Sequence, residues 1–391
     1  MRVLIVDHTG GIRPFRRKFA AIASQPDVEL TVFAPSRWVE NYRVVRAEPG
    51  EADGYRLLTG SVVWPGYENR GLFVSGLGRA FRVARPDLLH LWEEPFSLIS
   101  LEALLVARLR APRARVIFSS SDDWSRGFRY PYRPSWLYAR IERFTLRRSD
   151  GATVMNEAVR SLLREKGFDR PLELITHGLD LRAYLQPSRG SPGPPRSGKP
   201  VVGYLGRLTP QKGVDVLLRA FRRVATRSVP AAPELRIVGE GPERRRLEGL
   251  AGQLGIGEAV RFLPAVPHAE APSVLAGIDV LVLPSRTVPK SREHFGRVLI
   301  EGMAAGCVVI GTDSGAIPEV LADAGIVVPE EDDEAMADAI ARALEHPAMA
   351  EALRTKGRER VRERYTWEAI AARLGAFYRR ILSERGRSGG G

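Results

Sequence analysis

The stretch that decides the fold is residues 280–306, which read VLVLPSRTVPKSREHFGRVLIEGMAAG. It opens with the continuous apolar run Val280–Leu283, loops out from Pro284, and enters a helix near Phe295 that stops at Gly306. Continuous aliphatic runs suit strands that are buried on both faces of a parallel sheet, and glycine is favoured just past a helix end. The stretch therefore predicts one strand-loop-helix unit of a parallel sheet.

Two carboxylates, Glu293 and Glu301, bracket the start of this predicted helix. At about 100° per residue, Glu301 lies two turns down and obliquely to Glu293, so the two do not form a tight acid/base pair. They can hold two parts of one extended ligand while the backbone N–H groups of Phe295, Gly296 and Arg297 receive a phosphate. The alternative is ordinary compensation of the helix dipole by Glu293, with Glu301 solvated.

A second glycine-rich turn follows the predicted strand Val201–Leu205. Gly206 lets the backbone approach a ligand, and Arg207 and Lys212 bring two cations to the same strand end, which suits a diphosphate. A plain structural turn is the alternative, since the sequence is not a Walker A motif.

A third turn, Gly239-Glu240-Gly241, follows the strand Leu235–Val238. We expect the next three charges, Arg244, Arg245 and Arg246, to form a solvated helix face.

The alternation of strands and helices runs along both halves of the chain and predicts an α/β fold: two doubly wound Rossmann-like domains facing each other across a cleft. The predicted divisions are an N-terminal acceptor-binding domain (1–185), a Pro/Gly/Ser-rich linker (186–199), a C-terminal nucleotide-sugar domain (200–365), a helix crossing back to the first domain (366–384), and a loose tail (385–391).

In the N-terminal half, Gly10 and Gly11 follow the first strand and can bring backbone into the cleft. The next segment, Phe15–Ala23, is either a basic amphipathic helix able to lie on an anionic membrane or an ordinary surface helix. His8, His90 and His177 stand at predicted strand ends. Each could touch sugar hydroxyls or be a hydrogen-bonded structural histidine.

Composition narrows the class of protein. The chain has 391 residues, 44% of them hydrophobic and 27% charged, with a single cysteine and a net charge of +13. These values fit a folded protein of a reducing compartment, and no run of about 18 apolar residues suggests a membrane span. The excess of Lys and Arg indicates an anionic partner. Because this excess is spread over both halves of the chain, a nucleic-acid partner is not favoured. We expect a cytoplasmic protein, with peripheral contact at the inner face of a membrane compatible with the charge.

The motifs together resemble glycosyltransferase family 4. They are Pro284-Ser285, Glu293-x-Phe295-Gly296, Glu301-x-Met303-Ala304-x-Gly306, Ser314-Gly315-x-x-Pro318-Glu319, Gly206-Arg207-Leu208 with Lys212-Gly213, and Gly239-x-Gly241-Pro242. Family members are retaining, nucleotide-sugar-dependent enzymes of the GT-B fold.

The resemblance implies roles for individual residues. Glu293 would hold hydroxyls of the donor sugar, Glu301 the ribose, and Arg207 with Lys212 the diphosphate. Backbone near Phe262-Leu263 would contact the base. Gly206 and Glu240 complete the donor side, and Gly10, Gly11, His90, Asp122 and His177 lie on the acceptor or sugar side. The resemblance implies a nucleoside-diphosphate sugar as co-substrate and no required metal or other cofactor.

One departure from the family concerns the fifth N-terminal strand. Many members carry a His-Asp pair there, whereas this chain reads Ser119-Ser120-Ser121-Asp122-Asp123. Either Ser121 or Asp122 could take the place of the histidine. Two adjacent aspartates without further ligands are more typical of a turn or helix cap than of a metal site.

These observations predict a retaining transfer of a hexose-like sugar to a hydroxyl of a glycan, glycolipid or small molecule. The alternatives are another GT-B activity, such as a sugar phosphorylase or nucleotide-sugar epimerase, and a catalytically silent sugar-nucleotide-binding protein. A dinucleotide-dependent dehydrogenase ranks low, because no Gly-x-Gly-x-x-Gly follows the first strand of either half.

Overall fold

The computed structural model describes residues 1–12, 16–40, 43–67, 69–121, 134–185, 198–227, 232–289 and 291–384. The chain forms two compact units, Met1–Gly178 with Trp367–Gly391, and Leu179–Thr366. The division thus falls before the predicted position at 185, because the Leu179 N–H donates to the Tyr365 carbonyl at 2.8 Å within the second unit. Residues 186–197 of the predicted linker and the tail 385–391 lie outside the described residues.

Strands alternate with helices throughout. The strands are β1 (Arg2–Val6), β2 (Glu29–Pro35), β3 (Arg37–Glu40), β4 (Arg43–Arg46), β5 (Gly50–Ala52), β6 (Tyr55–Gly60), β7 (Val62–Val63), β8 (Leu72–Phe73), β9 (Leu88–Leu91), β10 (Arg115–Ser120), β11 (Gly151–Val154), β12 (Leu172–Leu174), β13 (Val201–Leu205), β14 (Glu234–Val238), β15 (Val260–Leu263), β16 (Val280–Leu283), β17 (Val308–Thr312) and β18 (Ile326–Val328).

The helices are α1 (Arg17–Ala23), α2 (Leu77–Ala84), α3 (Leu98–Arg110), α4 (Ser135–Arg148), α5 (Glu157–Glu165), α6 (Leu181–Leu185), α7 (Val214–Ala225), α8 (Arg244–Gln253), α9 (Ala271–Leu275), α10 (Arg297–Ala305), α11 (Ile317–Leu321), α12 (Asp333–Glu345), α13 (Pro347–Arg360) and α14 (Trp367–Ser383). None of the helices in the described ranges is long and apolar enough to cross a bilayer.

The first unit is built on an eight-stranded sheet of order β12-β11-β10-β9-β1-β2-β6-β5, parallel except for the edge pair β5–β6. One face packs against α2, α3, α4 and α5 through a core that includes Phe81, Ala103 and Leu163. The other face packs against α1 and α14, with Phe19 and Tyr378 in its core. The C-terminal helix is therefore part of the first unit.

The second unit has a six-stranded parallel sheet of order β15-β14-β13-β16-β17-β18. The central strands β13, β16 and β17 are apolar and almost fully buried because helices cover both faces, as α7 and α10 illustrate. Both sheets reverse direction of winding once, between β1 and β9 in the first and between β13 and β16 in the second. Ligands of open α/β sheets bind beyond the carboxyl ends of strands at such a reversal.

At the reversal in the first unit, a buried ion pair forms just after β1. The Lys18 ammonium lies 2.5 Å from an Asp7 carboxylate oxygen and 4.3 Å from the centre of the Trp92 ring. Burial opposes ionisation of Asp7, but Lys18 brings the pKa of that carboxyl below its usual value. Since α1 turns Lys18 inward, the ordinary-helix interpretation of this segment is favoured over a membrane-binding face.

Replacing Lys18 by Met should leave a fully buried carboxylate without its cation. We expect a loss of about 3–5 kcal/mol in unfolding free energy, the usual cost of breaking a buried pair from one side. Urea unfolding followed by tryptophan fluorescence measures it.

The double variant Lys18→Met/Asp7→Asn is the control. It should lose clearly less than the sum of its two single variants. Additive losses would show that the two side chains do not depend on each other.

Candidate active site

The loops after β13 and β16 meet at the reversal of the second sheet. The backbone N–H of Arg286 donates to the Gln211 carbonyl at 2.9 Å, which joins the two loops directly. Both loops were predicted from the sequence to contact a ligand. The fold brings their charged side chains together at the carboxyl ends of the neighbouring strands β13 and β16.

The centre of this edge is an ion pair between Lys212 and Glu293. The Lys212 ammonium lies 2.5 Å from a Glu293 carboxylate oxygen, and the Ser285 hydroxyl donates to the same oxygen at 2.9 Å. Burial alone would raise the pKa of Glu293, but Lys212 and Ser285 bring it below its usual value. Glu293 is therefore held ionised, with the side chains of Lys212 and Glu293 retaining 19% and 12% exposure.

Two glycines make this arrangement possible. Gly213 has a φ of 62°, and a Cβ there would stand 1.9 Å from the Pro284 carbonyl. Gly315 has a φ of 54°, and its Cβ would stand 2.1 Å from the Glu293 carbonyl, which also accepts from the Ala316 N–H at 2.8 Å. A side chain at Gly213 would push the β13 loop away from the β16 loop, and one at Gly315 would push the loop after β17 away from the β16 loop, because both are backbone clashes in the left-handed region.

Arg207 stands on the same loop as Lys212 with an exposed side chain. Its carbonyl accepts from the Tyr204 hydroxyl at 2.7 Å, which fixes the turn while the guanidinium remains outside. Gly206 is tied to β14, since its N–H donates to the Val238 carbonyl at 3.0 Å.

Arg244 is a structural anchor that sequence reasoning missed. Its guanidinium donates to the carbonyls of Phe262 and Leu263 at 3.1 and 3.2 Å and pairs with Glu240 at 3.0 Å. The expectation of a solvated face is thus wrong for Arg244, which binds the carbonyls of the segment whose backbone is predicted to contact the base. The sequence does contain a signal for this role of Arg244. Glu240, Arg244 and Glu248 are four residues apart, a spacing that brings both carboxylates within reach of the arginine.

Glu301 lies in α10, buried and apart from the Lys212 pair. One carboxylate oxygen lies 3.0 Å from the Arg297 Nε and 3.6 Å from the His268 Nδ1, and Tyr184 of α6 also bonds the carboxylate. Burial raises the pKa of Glu301 to about 7 in spite of Arg297. Burial likewise lowers the pKa of His268 to about 4, assisted by the positive charge of Arg297.

The start of α10 matches the predicted position closely. Gly296 caps the helix with a φ of 73°, Arg297 is its first residue, and Gly306 ends it with a φ of 82°. Phe295 is buried against Tyr365, so it anchors the helix start. The amide-rich end of α10 therefore lies between Glu293 and Glu301 along the chain.

The reversal of the first sheet holds a second polar cluster, made of Asp7, His8 and Glu93. The His8 Nδ1 lies 2.9 Å from both Glu93 carboxylate oxygens, and the His8 N–H donates to one of them at 2.7 Å. Burial raises the pKa of Glu93, opposed by His8. The three residues have the spacing of metal ligands, but the Lys18 ammonium already supplies a cation to this cluster.

Glu93 and Glu94 were missed from sequence although only Trp92 separates them from the end of β9. Glu94 accepts from the Ser120 hydroxyl at 2.8 Å and from the Ser121 N–H at 2.6 Å, which joins β9 to the end of β10. Two adjacent carboxylates at the carboxyl end of a central strand are the signal that could have found them.

His90 requires a correction. It lies inside β9, not after it, and is fully buried. Its Nδ1 lies 2.7 Å from the Tyr378 hydroxyl and its Nε2 2.9 Å from the Ser119 hydroxyl, while burial lowers its pKa to about 3. His90 is therefore a neutral structural histidine, and we do not carry it forward as a sugar ligand.

The remaining N-terminal candidates are dispersed. Gly10 and Gly11 are buried in the turn after β1, where the Gly10 N–H donates to the Asp7 carbonyl at 3.1 Å. His177 is exposed beyond β12. Asp122 lies outside the described residues, and its place on the acceptor or sugar side stays a prediction.

Comparison with known proteins identifies the family. The model described as glycosyl transferases group 1 matches residues 191–360, and the glycosyl transferase 4-like domain matches residues 10–178. A GDP-mannose-dependent alpha-(1-6)-phosphatidylinositol monomannoside mannosyltransferase of Mycolicibacterium smegmatis is 30% identical over 382 residues, covering 93% of this chain and 94% of that protein. The chain belongs to glycosyltransferase family 4.

Two further similarities support this placement. The enzyme of the same name from Mycobacterium tuberculosis is 29% identical over 400 residues, covering 97% of this chain and 98% of that protein. The structure of sucrose-phosphate synthase from Thermosynechococcus elongatus shares the fold, with a TM-score of 0.68 at 22% identity over 98% of this chain and 99% of that one. The predicted GT-B class, with two Rossmann-like units, is confirmed for this glycosyltransferase.

The buried Glu301 makes a testable contribution to the stability of the glycosyltransferase. Its pKa is about 7 in the folded state against an ordinary 4.5, so its stabilising contribution is complete below pH 4.5 and is lost as the pH rises through 7. Glu301→Gln should escape that loss. Relative to wild type, its unfolding free energy should increase by about 2–3 kcal/mol between pH 5 and pH 8.

Glu293→Gln is the matched control. Its carboxyl has a lowered pKa, so it is ionised at both pH values and its difference from wild type should stay level between them. Chemical unfolding at the two pH values measures both variants. A flat difference for Glu301→Gln would contradict the raised pKa.

Proposed function

We propose that the protein is a retaining glycosyltransferase that moves a hexose from a nucleoside diphosphate to an acceptor hydroxyl, with GDP-mannose as the first donor to test. The observation that carries the proposal is the Lys212–Glu293 ion pair, which joins the loop after β13 to the loop after β16. Arg207 lies on the loop after β13, and the loop after β16 leads into the start of α10. The donor assignment follows the two mannosyltransferase relatives, both of which are named as GDP-mannose-dependent.

Arg207 and Lys212 would stabilise the leaving diphosphate. The bond that breaks places negative charge on a phosphate oxygen, and fixed cations and amide dipoles at that position lower the barrier. The N–H groups at Gly296 and Arg297 add the helix-dipole contribution, which favours phosphate at this end of α10.

Glu293 would hold the donor sugar. The lowered pKa keeps it ionised, so it accepts hydrogen bonds from sugar hydroxyls throughout the neutral range. Its contact with Lys212 supports the idea that sugar and diphosphate are gripped by one connected group of side chains.

Glu301 would bind the ribose hydroxyls. It is buried, lies two turns into α10, and already interacts with Arg297 and Tyr184. Ribose hydroxyls would add hydrogen bonds to a carboxylate whose burial is only partly compensated in the free protein.

The acceptor and the stereochemistry belong to the same proposal. The relatives' names point to a phosphoinositide glycolipid as the first acceptor class to try. Retention follows from the family resemblance, in which the departing phosphate oxygen assists acceptor deprotonation on the same face of the sugar. We place the reaction at the cytoplasmic face of a membrane, with the nucleotide sugar as co-substrate and no further cofactor.

Donor selection tests the proposal most directly. GDP-mannose at about 100 times its dissociation constant should stabilise the protein by about 2.7 kcal/mol, visible as a rise in melting temperature. UDP-glucose and ADP-glucose at the same concentration should give smaller shifts. A larger shift with either would reassign the base, and no shift with any nucleotide sugar would refute the donor site.

The diphosphate role predicts a specific kinetic result. Arg207→Ala should lower kcat by the equivalent of about 2–4 kcal/mol in barrier height, as when one preorganised donor is lost, with an unchanged melting temperature because the side chain is exposed. Release of nucleoside diphosphate in a coupled assay measures it.

Arg222→Ala provides the matched control, since Arg222 is an exposed arginine on α7 of the same unit. It should retain wild-type turnover. Equal losses in the two variants would assign the effect to general charge and not to the diphosphate.

A further inference from the structure

The solvent-facing sides of α2, α3 and α4 form one cationic surface of the first unit. The three helices pack side by side on the same sheet face, α2 against α3 and α3 against α4. Their exposed arginines are Arg79, Arg82, Arg108, Arg110, Arg140, Arg143, Arg147 and Arg148. We call these helix faces the α2–α4 surface.

The helices of the α2–α4 surface carry little compensating negative charge. The only acidic residues on these helices are Glu102 and Glu142. Glu102 accepts from the Phe73 N–H at 2.7 Å, and Glu142 is buried and pairs with Lys166 at 2.7 Å. Within the described ranges, the ion pairs near this surface are Arg2–Asp87, Arg115–Asp150, Arg160–Glu157 and Lys166–Glu142, and none of them involves an arginine of α2, α3 or α4.

Apolar side chains are interleaved with these arginines. On α3, Leu105 and Leu109 are 47% and 80% exposed, one turn apart, with Arg108 on the same side. On α2, Val83 stands beside Arg79 and Arg82.

One side of α4 carries the longest row of arginines with an exposed aromatic side chain. Trp136, Arg140, Arg143 and Arg147 follow one another at spacings of four, three and four residues, which places them on one side of the helix. Trp136 is 59% exposed, and the Arg140 guanidinium lies 5.2 Å from the centre of its ring. At 1.5 Å per residue the row is about 16 Å long.

We infer that the α2–α4 surface docks on an anionic lipid bilayer. Arginine attracts acidic headgroups, while leucine, valine and tryptophan enter the boundary between headgroups and acyl chains. A nucleic acid would use the cations but offers nothing to Leu105, Leu109 and Val83. A second copy of this surface would be repelled by its own charge.

The inference is independent of the donor chemistry. It concerns residues of the first unit alone, and it uses neither the Lys212–Glu293 pair nor Glu301. Docking of this surface would hold the protein on the membrane that contains a lipid acceptor. The inference does not depend on which membrane lipid that acceptor is.

Vesicle sedimentation of the full chain tests the inference. The wild-type protein should sediment with phosphatidylcholine vesicles containing about one third phosphatidylglycerol, and not with pure phosphatidylcholine. Arg140→Gln/Arg143→Gln/Arg147→Gln should lower the partition coefficient on the order of tenfold to a hundredfold. Leu105→Gln/Leu109→Gln should lower it several-fold without any change of charge.

Controls separate the surface from net charge and from the proposed activity. Arg222→Gln/Arg245→Gln/Arg362→Gln removes the same charge from exposed positions of the second unit and should bind vesicles like wild type. Melting temperature and the shift with GDP-mannose should be unchanged in every variant, so failure here leaves the donor site untouched.

Three results would overturn the inference. One is equal vesicle binding by wild type and the α4 variant, and another is an equal loss in the charge-matched control. The third is tighter binding to a DNA duplex than to anionic vesicles, with no effect of the leucine substitutions, which would assign the surface to nucleic acid.

Discussion

A carboxylate buried where a sheet reverses its winding needs a cation in contact with it, and both units of this protein meet that requirement. Lys212 lies 2.5 Å from Glu293 in the second unit, and Lys18 lies 2.5 Å from Asp7 in the first. In each case the pKa of the acid is lowered although burial opposes ionisation. The pairs fix the loops that carry them, because a buried charge that moves away from its partner would lose far more free energy than a surface pair.

Glu301 is also a buried carboxylate, but its neighbouring cation does not bring its pKa below the usual value. Arg297 is its nearest cation, at 3.0 Å, yet burial still raises the pKa of Glu301 to about 7. The free protein therefore carries a carboxylate whose ionisation weakens the fold at neutral pH. A ligand that donates hydroxyl hydrogens to it recovers part of that free energy, so the instability and the proposed ribose contact are two aspects of one buried group.

The sequence predicted the second unit better than the first, for a physical reason. The bounds of β13 and β16 agree with the predicted ones and those of β14 differ by one residue, because continuous aliphatic runs between glycines and prolines have few alternative structures. Residues 37–73 hold six short strands where no element was predicted, since strands of two to six residues with mixed polarity give no periodic signal. Contacts between distant residues, such as Lys18 with Asp7 and His90 with Tyr378, follow only from the packed structure. His90 was misassigned because a side chain near the end of a strand can point into the core or toward a ligand, and only the packing against Tyr378 and Ser119 shows which.

The distribution of charge shows why a count along the chain missed the α2–α4 surface. The excess of arginine is spread over both halves of the sequence, but three neighbouring helices present it on one side of one unit. Helix α5 packs on the same sheet face and exposes a mixture of acidic and basic residues, with Arg160 paired to Glu157 at 3.1 Å. The shared core therefore does not impose arginine on its outer helices. Packing against the core does not determine which residues stand on the outer faces of these helices. Their arginines and exposed leucines are therefore better explained by a binding partner outside the protein than by a contribution to the fold.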